Sequence, residues 1–252
     1  SEMCIRDRFY MTQLREVLGN PKYGNNGKFV EVWMDGAKGS GAAAQHYKFD
    51  QWFDLIEELQ PGAVVFSPYA TGVRWIGNES GKAGDPAWSK IDKKRIRDRY
   101  DQGLGDDNRY LNNGDPQGDI WSVGECDVSL TSGWFWHQGN GPKTMEQLTE
   151  IYFKSVGRGQ PLLLNVAPDR NGHFTTEDIA RIKEFSTAIN NTFDENLATP
   201  NTTTAEASSV RGNSMNFSAS KVLDDDHDSY WTMDDGQTTG SCLLYTSPSP
   251  RD

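Results

Sequence analysis

The chain has 252 residues, with 25 Lys and Arg against 36 Asp and Glu and a formal net charge of −11. That length holds one large or two modest domains, and the acidity argues against binding a nucleic-acid phosphate backbone. Aromatic residues make up 11% of a chain that is only 35% hydrophobic, and eight of them are Trp, a balance expected of a soluble protein whose rings stack on uncharged ligands such as sugars.

Residues 9–19, FYMTQLREVLG, space Leu14, Val17 and Leu18 as a helix does and stop at Gly19-Asn20-Pro21, so the first element is predicted to be a helix. FVEVWMDG, 29–36, alternates Val30 and Val32 with Phe29 and Glu31 and breaks at Asp35-Gly36. It reads as a short strand with Asp35 at its carboxyl end. FDQWFDLIEELQPG, 49–62, puts Trp52, Leu55, Ile56 and Leu59 on one helical face, and AVVFS, 63–67, is an apolar strand. VRWIGNES, 73–80, reads as a strand running into a loop, and DIWSVGECDVSL, 119–130, as a strand with a Gly interruption. TMEQLTEIYFKSVGRG, 144–159, is an amphipathic helix with a Gly stop, PLLLNVAP, 161–168, a buried strand, and TTEDIARIKEFSTAINNTF, 175–193, a helix with Thr capping its acidic first turn. Alternating strands and helices predict a parallel sheet. A closed (β/α)8 barrel takes about 250 residues, and only about four strand–helix units fit before 194. The predicted class is therefore α/β, the C-terminal half of a TIM-like barrel.

From 196 the composition shifts to Asn, Thr, Ala and Ser, placing a boundary near 194–200; the Asp clusters and isolated aromatics that follow predict a fragment of an all-β sandwich. The opening SEMCIRDR and closing LLYTSPSPRD resemble translated sequencing-adapter read-through and are set apart from fold reasoning. The expected organisation is thus 1–8 foreign, 9–194 barrel, 195–242 β-module and 243–252 foreign. No apolar run approaches the ~20 residues of a membrane span, and no charged-then-apolar leader opens the chain. Cys4, Cys126 and Cys242 lack the spacing of a disulfide framework or zinc site, and His46, His137, His173 and His227 show no H-x-x-x-H pair. No metal or other cofactor is expected of the barrel.

Two acids stand out. Asp35 ends a buried strand, and Gly36 and Ala37 let the backbone turn away; barrel enzymes place their chemistry at such ends. Glu79 also follows an apolar strand, beside Trp75, whose ring offers the low-dielectric wall that keeps a carboxyl protonated. Glycoside hydrolysis needs such a pair, one carboxylate ionised and the other exchanging a proton with the leaving oxygen. Spacing alone equally fits an ordinary Asp-Gly turn and an exposed loop acid.

Four ordered motifs, EVWMDGA, RWIGNESGKAGDPAWS, the ECDVS and GWFWH run at 125–137, and LLLNVAPDRNG at 162–172, together resemble glycoside hydrolase family 29, the α-L-fucosidases, over about residues 9–193. The resemblance implies that Asp35 is the nucleophile of a retaining mechanism and that Glu79, in W-x-G-N-E, is the acid/base. It also implies a branch that prefers α-1,3/1,4-linked fucose, with fucosylated oligosaccharides or glycoconjugates as partners and a periplasmic or secreted location. Arg74, Trp75, Trp134 and Glu125 are the candidate substrate-binding residues, Trp134 by packing on the apolar C5 methyl of fucose. Asp127 is read as binding hydroxyls or fixing its loop, and Asn165 as support at the barrel mouth. The tail, through VLDDDHDSYWTMDDG, resembles the start of a discoidin-like family 32 carbohydrate-binding module, which implies a structural calcium in the complete module. The competing reading is a non-catalytic glycan-binding protein with a degenerate barrel. Family members grip the fucose hydroxyls with histidines on the first barrel strands, which these motifs do not include. The polypeptide as written is expected to be inactive by itself, and measurable fucose release from it would refute that.

Overall fold

The computed structural model describes residues 5–35, 47–67, 72–97, 108–237 and 242–246. The chain divides into two compact units, Ser1–Phe185 and Ser186–Asp252. In the first unit the order is α1 Ile5–Leu18, β1 Glu31–Trp33, α2 Phe49–Leu59, β2 Val64–Phe66 and β3 Val73–Trp75, then β4 Lys90–Ile91, α3 Lys93–Arg97, α4 Asn108–Asn113 and β5 Ile120–Trp121. It continues with β6 Val123–Ser129, α5 Met145–Ser155, β7 Leu162–Asn165 and α6 Thr176–Phe193, which runs across the division between units. Five strands share one sheet in the order β1-β2-β3-β6-β7, and every neighbouring pair is parallel. Parallel neighbours need a crossover; α2 supplies it between β1 and β2, and α5 between β6 and β7.

Local chemistry explains the helices. In α2 the buried residues are Phe49, Trp52, Leu55 and Ile56, the spacing of one helical face, and Tyr10 of α1 meets Trp52 edge-on with ring centroids 4.7 Å apart. Gln60, just past α2, donates to the Leu18 and Gly27 carbonyls at 2.6 and 2.7 Å and accepts from Phe29 N–H at 3.1 Å. One buried carboxamide thereby ties the end of α1 to the approach to β1. A capping box starts α5: Thr144 Oγ1 accepts from Gln147 N–H, and Gln147 Oε1 from Thr144 N–H.

On one side of the sheet Ile76, Ala83 and Cys126 pack together with Ala87 and Leu162. Burial pushes the Cys126 thiol up to about 12, helped by the neighbouring Asp127 charge, which makes it a packing group and not a nucleophile. Gly124 is required in β6, because a Cβ there would collide with Ile76 and stand 3.0 Å from Gln160 Oε1. Gln160 Oε1 instead accepts the Gly124 N–H at 2.6 Å.

The segment between β3 and β6 departs from expectation. Sequence alone gave no elements between 81 and 118 and one strand over 119–130, whereas β4 and β5 pair antiparallel and 119–130 breaks at Ser122. The reason is Arg74. Its side chain is fully buried, donating from Nε to the Leu111 carbonyl at 2.7 Å, from Nη2 to Trp88 O at 2.8 Å, and from Nη1 to Ser122 O. Ser122 O is the carbonyl between β5 and β6, so the strand is interrupted where the guanidinium takes its acceptor.

In the second unit β8 Thr204–Ala207 pairs antiparallel with β9 Leu243–Thr246, and short 3-10 turns occupy 211–213, 215–217 and 219–222. The described residues of this unit thus form two strands and three turns. β9 lies in the stretch set apart as foreign, and the division at 185/186 falls ahead of the boundary expected near 194–200. Among the described residues no helix is long and apolar enough to cross a membrane.

Replacing Arg74 by Met leaves three carbonyls without their donor, each a loss of about 1–3 kcal/mol. Urea unfolding followed by circular dichroism is expected to show Arg74→Met less stable by about 3 kcal/mol or more; a loss below about 1 kcal/mol would mean that water satisfies these groups.

Candidate active site

The carboxyl ends of the parallel strands gather the acids. Asp35 lies just past β1 and is exposed; Glu79 lies in the loop after β3 and is also exposed; Asp127 is inside β6 and 4% exposed. The Glu79 loop is shaped by Asn78, whose Oδ1 accepts from Ser80 N–H at 2.9 Å while its Nδ2 donates to Lys82 O at 3.0 Å. Gly81 N–H then donates to the Asp127 carbonyl at 3.1 Å, fastening the loop to β6.

Register decides which acids meet. Trp75 and Glu125 are paired across β3 and β6, and Trp75 Nε1–H donates to Asp127 Oδ1 at 2.9 Å. Burial pushes the Asp127 carboxyl up to about 6; hydrogen bonds from its own backbone and Trp75 oppose that, and the charges of Glu79 and Asp35 reinforce it. The two acids singled out in the sequence therefore both act on one buried carboxyl. Deeper on the same side, Glu125 is pushed up to about 7, first by burial and then by the Glu31 charge, with a hydrogen bond from the Trp33 side chain working the other way. Glu125 Oε1 and Glu31 Oε1 are buried without a hydrogen-bond partner among the described residues. Trp33 stacks on Phe66 at 4.5 Å and 8°, closing this side of β1 and β2.

The structure gives two of the candidate residues other partners. Arg74 is fully buried and donates to the carbonyls of Trp88, Leu111 and Ser122. Trp75 gives its N–H to Asp127, and its ring packs against the cluster of Ile91 and Leu111. The indole that reaches Glu79 is Trp134, from the loop after β6, with Nε1 3.1 Å from Oε2. Glu125 lies below the mouth, on the same side of β6 as Asp127, and is buried at 8% exposure. Gly36 and Ala37, expected to turn the chain after Asp35, lie outside the described residues. Glu31 and Trp33 escaped the sequence reading, although they alternate with Asp35 and so share its side of the strand. Beside Trp134, Phe135–Gln138 and Pro168–Arg170 line an open cleft of about 300 Å³, with the Arg170 guanidinium 5.8 Å from the Trp136 ring centroid. No group of acids, histidines and cysteines that could hold a metal ion is found among the described residues.

No protein-family model matches the sequence. It is 42% identical over 233 residues to Alpha-L-fucosidase 1 of Arabidopsis thaliana, covering 92% of this chain and 44% of that protein. In structure it matches SpGH29 with a TM-score of 0.80 at 46% identity, over 90% of this chain and 48% of that one. It matches a Ruminococcus gnavus GH29 fucosidase, solved in complex with fucose, with a TM-score of 0.80 at 41% identity, over 95% and 48%. By sequence and fold the chain is similar to family 29 α-L-fucosidases. It spans about half the length of these relatives, and its five parallel strands match part of their TIM-like barrel, as the sequence led us to expect. The carboxyl ends that carry Asp35, Glu79 and Asp127 are the end of the sheet where barrel enzymes build their sites.

The buried acids also make stability depend on pH. In the unfolded chain Glu125 and Asp127 ionise near their ordinary values of 4.5 and 3.8, but in the folded chain only near 7 and 6. Between those values the folded state binds more protons, so stability falls as pH rises through that window. Urea midpoints are expected to drop from pH 5 to pH 8, and Glu125→Gln, which cannot ionise, should regain on the order of 2 kcal/mol at pH 8. Equal midpoints for Glu125→Gln and wild type at pH 8 would show that the carboxyl is solvated.

Proposed function

We propose that this chain is the C-terminal catalytic part of a retaining exo-α-L-fucosidase that removes terminal α-1,3/1,4-linked fucose from glycans. The observation that carries the reading is the placement of Asp35 just past β1 and of Glu79 in the loop after β3, both near enough to the Asp127 carboxyl of β6 to raise its pKa, in a chain 42% identical to an α-L-fucosidase. Asp35, the strand-end acid, attacks the anomeric carbon and forms a fucosyl ester. Glu79 first gives its proton to the departing glycosidic oxygen, then takes one from the water that cleaves the ester. Asp127, shielded and half-neutral near pH 6, limits the negative charge packed around the nucleophile. The cleft of Phe135, Trp136 and Arg170 offers aromatic and cationic surface to the sugar that leaves, which suits a branched oligosaccharide better than a simple fucoside. The second unit accompanies it as a family 32 carbohydrate-binding module in part, and the enzyme acts in the periplasm or outside the cell.

Fucose release by the complete enzyme carrying this segment tests the assignment, on an aryl α-L-fucoside and a Lewis-type trisaccharide. Asp35→Ala is expected to lose about a thousandfold or more on both substrates, because both need the nucleophile. Glu79→Ala should lose about 10²–10⁴-fold on the trisaccharide and much less on the aryl fucoside, whose leaving group departs without a proton. A folded wild type that releases fucose from neither substrate would favour a glycan-binding role instead.

A further inference from the structure

Glu79 is exposed and stands on a loop, a poor foundation for a group that must hold one geometry through two proton transfers. A free glutamate side chain has several rotamers to lose, and a reacting group misplaced by an ångström forfeits much of its rate. Of the described residues, Trp134 supplies the hydrogen bond to its carboxylate, Nε1–H to Oε2 at 3.1 Å. Trp134 is itself on the long connection from β6 to α5, and three bonds fix that connection. Lys143 N–H donates to Leu130 O at 2.8 Å, closing its base. Asn140 Nδ2 donates to Ser132 O at 2.8 Å. Asn165, the last residue of β7, donates from Nδ2 to the Trp134 carbonyl at 3.0 Å.

Asn165 is well placed to be an anchor. The second N–H of its amide donates to Ser129 Oγ at 3.0 Å, its own carbonyl accepts from Leu130 N–H at 2.9 Å, and it is register-paired with Ser129 on the neighbouring strand. Both amide hydrogens are thereby spent, one on the sheet and one on the loop. We propose that Asn165 and Trp134 are positioning residues for the acid/base carboxylate: Asn165 holds the Trp134 main chain so that the indole N–H occupies Glu79 Oε2 and leaves Oε1 to carry the proton. This rests on Glu79 being the acid/base.

The chemistry of the two side chains fits that task. An indole N–H is a donor that does not titrate, and a carboxamide does not titrate either. Trp134 can bond Oε2 as a carboxylate oxygen when Glu79 is ionised, and as a carbonyl oxygen when Oε1 is protonated. The clamp survives both halves of the reaction and never competes for the proton, as a Lys or His donor would. It also defines which oxygen faces the leaving group. Supporting hydrogen bonds of this kind are what keep a reacting side chain within its productive geometry.

The indole N–H resonances of the ¹⁵N-labelled chain as it stands read the clamp directly, after assignment with Trp134→Phe and Trp75→Phe. The Trp134 resonance is expected to shift with pH as Glu79 ionises and to become flat in Glu79→Gln. In Asn165→Ala that pH shift should fall to less than half its wild-type amplitude. The Trp75 resonance, bonded to Asp127, should keep its own titration, which certifies the fold. If Asn165→Ala loses the Trp75 signature, Asn165→Ser, which keeps a short hydroxyl beside Ser129 but does not span to Trp134, gives the same reading. A Trp134 resonance that still titrates in Glu79→Gln, or that keeps its full shift in the folded Asn165 variant, overturns the proposal. Failure of the acid/base assignment shows separately, as a complete enzyme whose Glu79→Ala variant still cleaves the trisaccharide while the clamp resonances behave as described.

Discussion

A guanidinium sealed beneath the sheet sets the frame for everything above it. Arg74 meets three backbone carbonyls, of Trp88, Leu111 and Ser122, and burial lowers its own pKa to about 10. Backbone carbonyls hold a charge less firmly than a carboxylate would, but they belong to three separate stretches of chain, so one side chain fastens β3, the 88–122 excursion and the start of β6 together. Because β3 and β6 carry Trp75, Glu125 and Asp127, and β3 runs directly into the Glu79 loop, the site inherits its geometry from this buried strut on the other side of the sheet.

Above the sheet the governing constraint is the crowding of like charge. Glu31 and Glu125 lie deepest, Asp127 higher, and Asp35 and Glu79 at the rim. Glu31, Glu125 and Asp127 are each weakened mainly by the loss of water, and Glu125 and Asp127 further by the acids around them. The structure answers with indoles. Trp75 bonds Asp127 and Trp134 bonds Glu79, each giving one N–H to one acid, while the Trp33 side chain offsets part of the shift at Glu125. An indole brings a hydrogen bond without a competing charge and excludes water with the same ring, which reconciles a dense acidic site with an apolar surround. Part of the tryptophan-rich composition, first suggestive of sugar stacking, is here spent on holding carboxyls.

The same sheet shows why a segment half the length of its relatives retains their fold so closely. The strands of the parallel ladder β1-β2-β3-β6-β7 stand in chain order, with the antiparallel β4–β5 pair set outside the sheet between β3 and β6. Contacts are thus largely made between consecutive βα units, and a run of such units keeps its internal register.

What the sequence determined by itself is local in origin. Helical spacing in α2, α5 and α6 and apolar runs in β2 and β7 placed these elements to within a few residues, since periodicity records which side of a segment avoids water. The positions of Asp35 and Glu79 just past strands were legible for the same reason, and four ordered motifs carried the family resemblance. Only the tertiary structure decided who meets whom. Arg74 and Trp75 are adjacent in a strand and so point to opposite sides, one to the carbonyls below and the other to Asp127, and nothing in their spacing says which side holds the site. The antiparallel β4 and β5 are two residues each, too short to show a period, and exist because the excursion closes over Arg74. The partnership of Trp134 with Glu79 joins residues far apart in sequence through the register of β6 with β7, which fixes Asn165. Such pairings depend on register and crossover, which are properties of the assembled sheet.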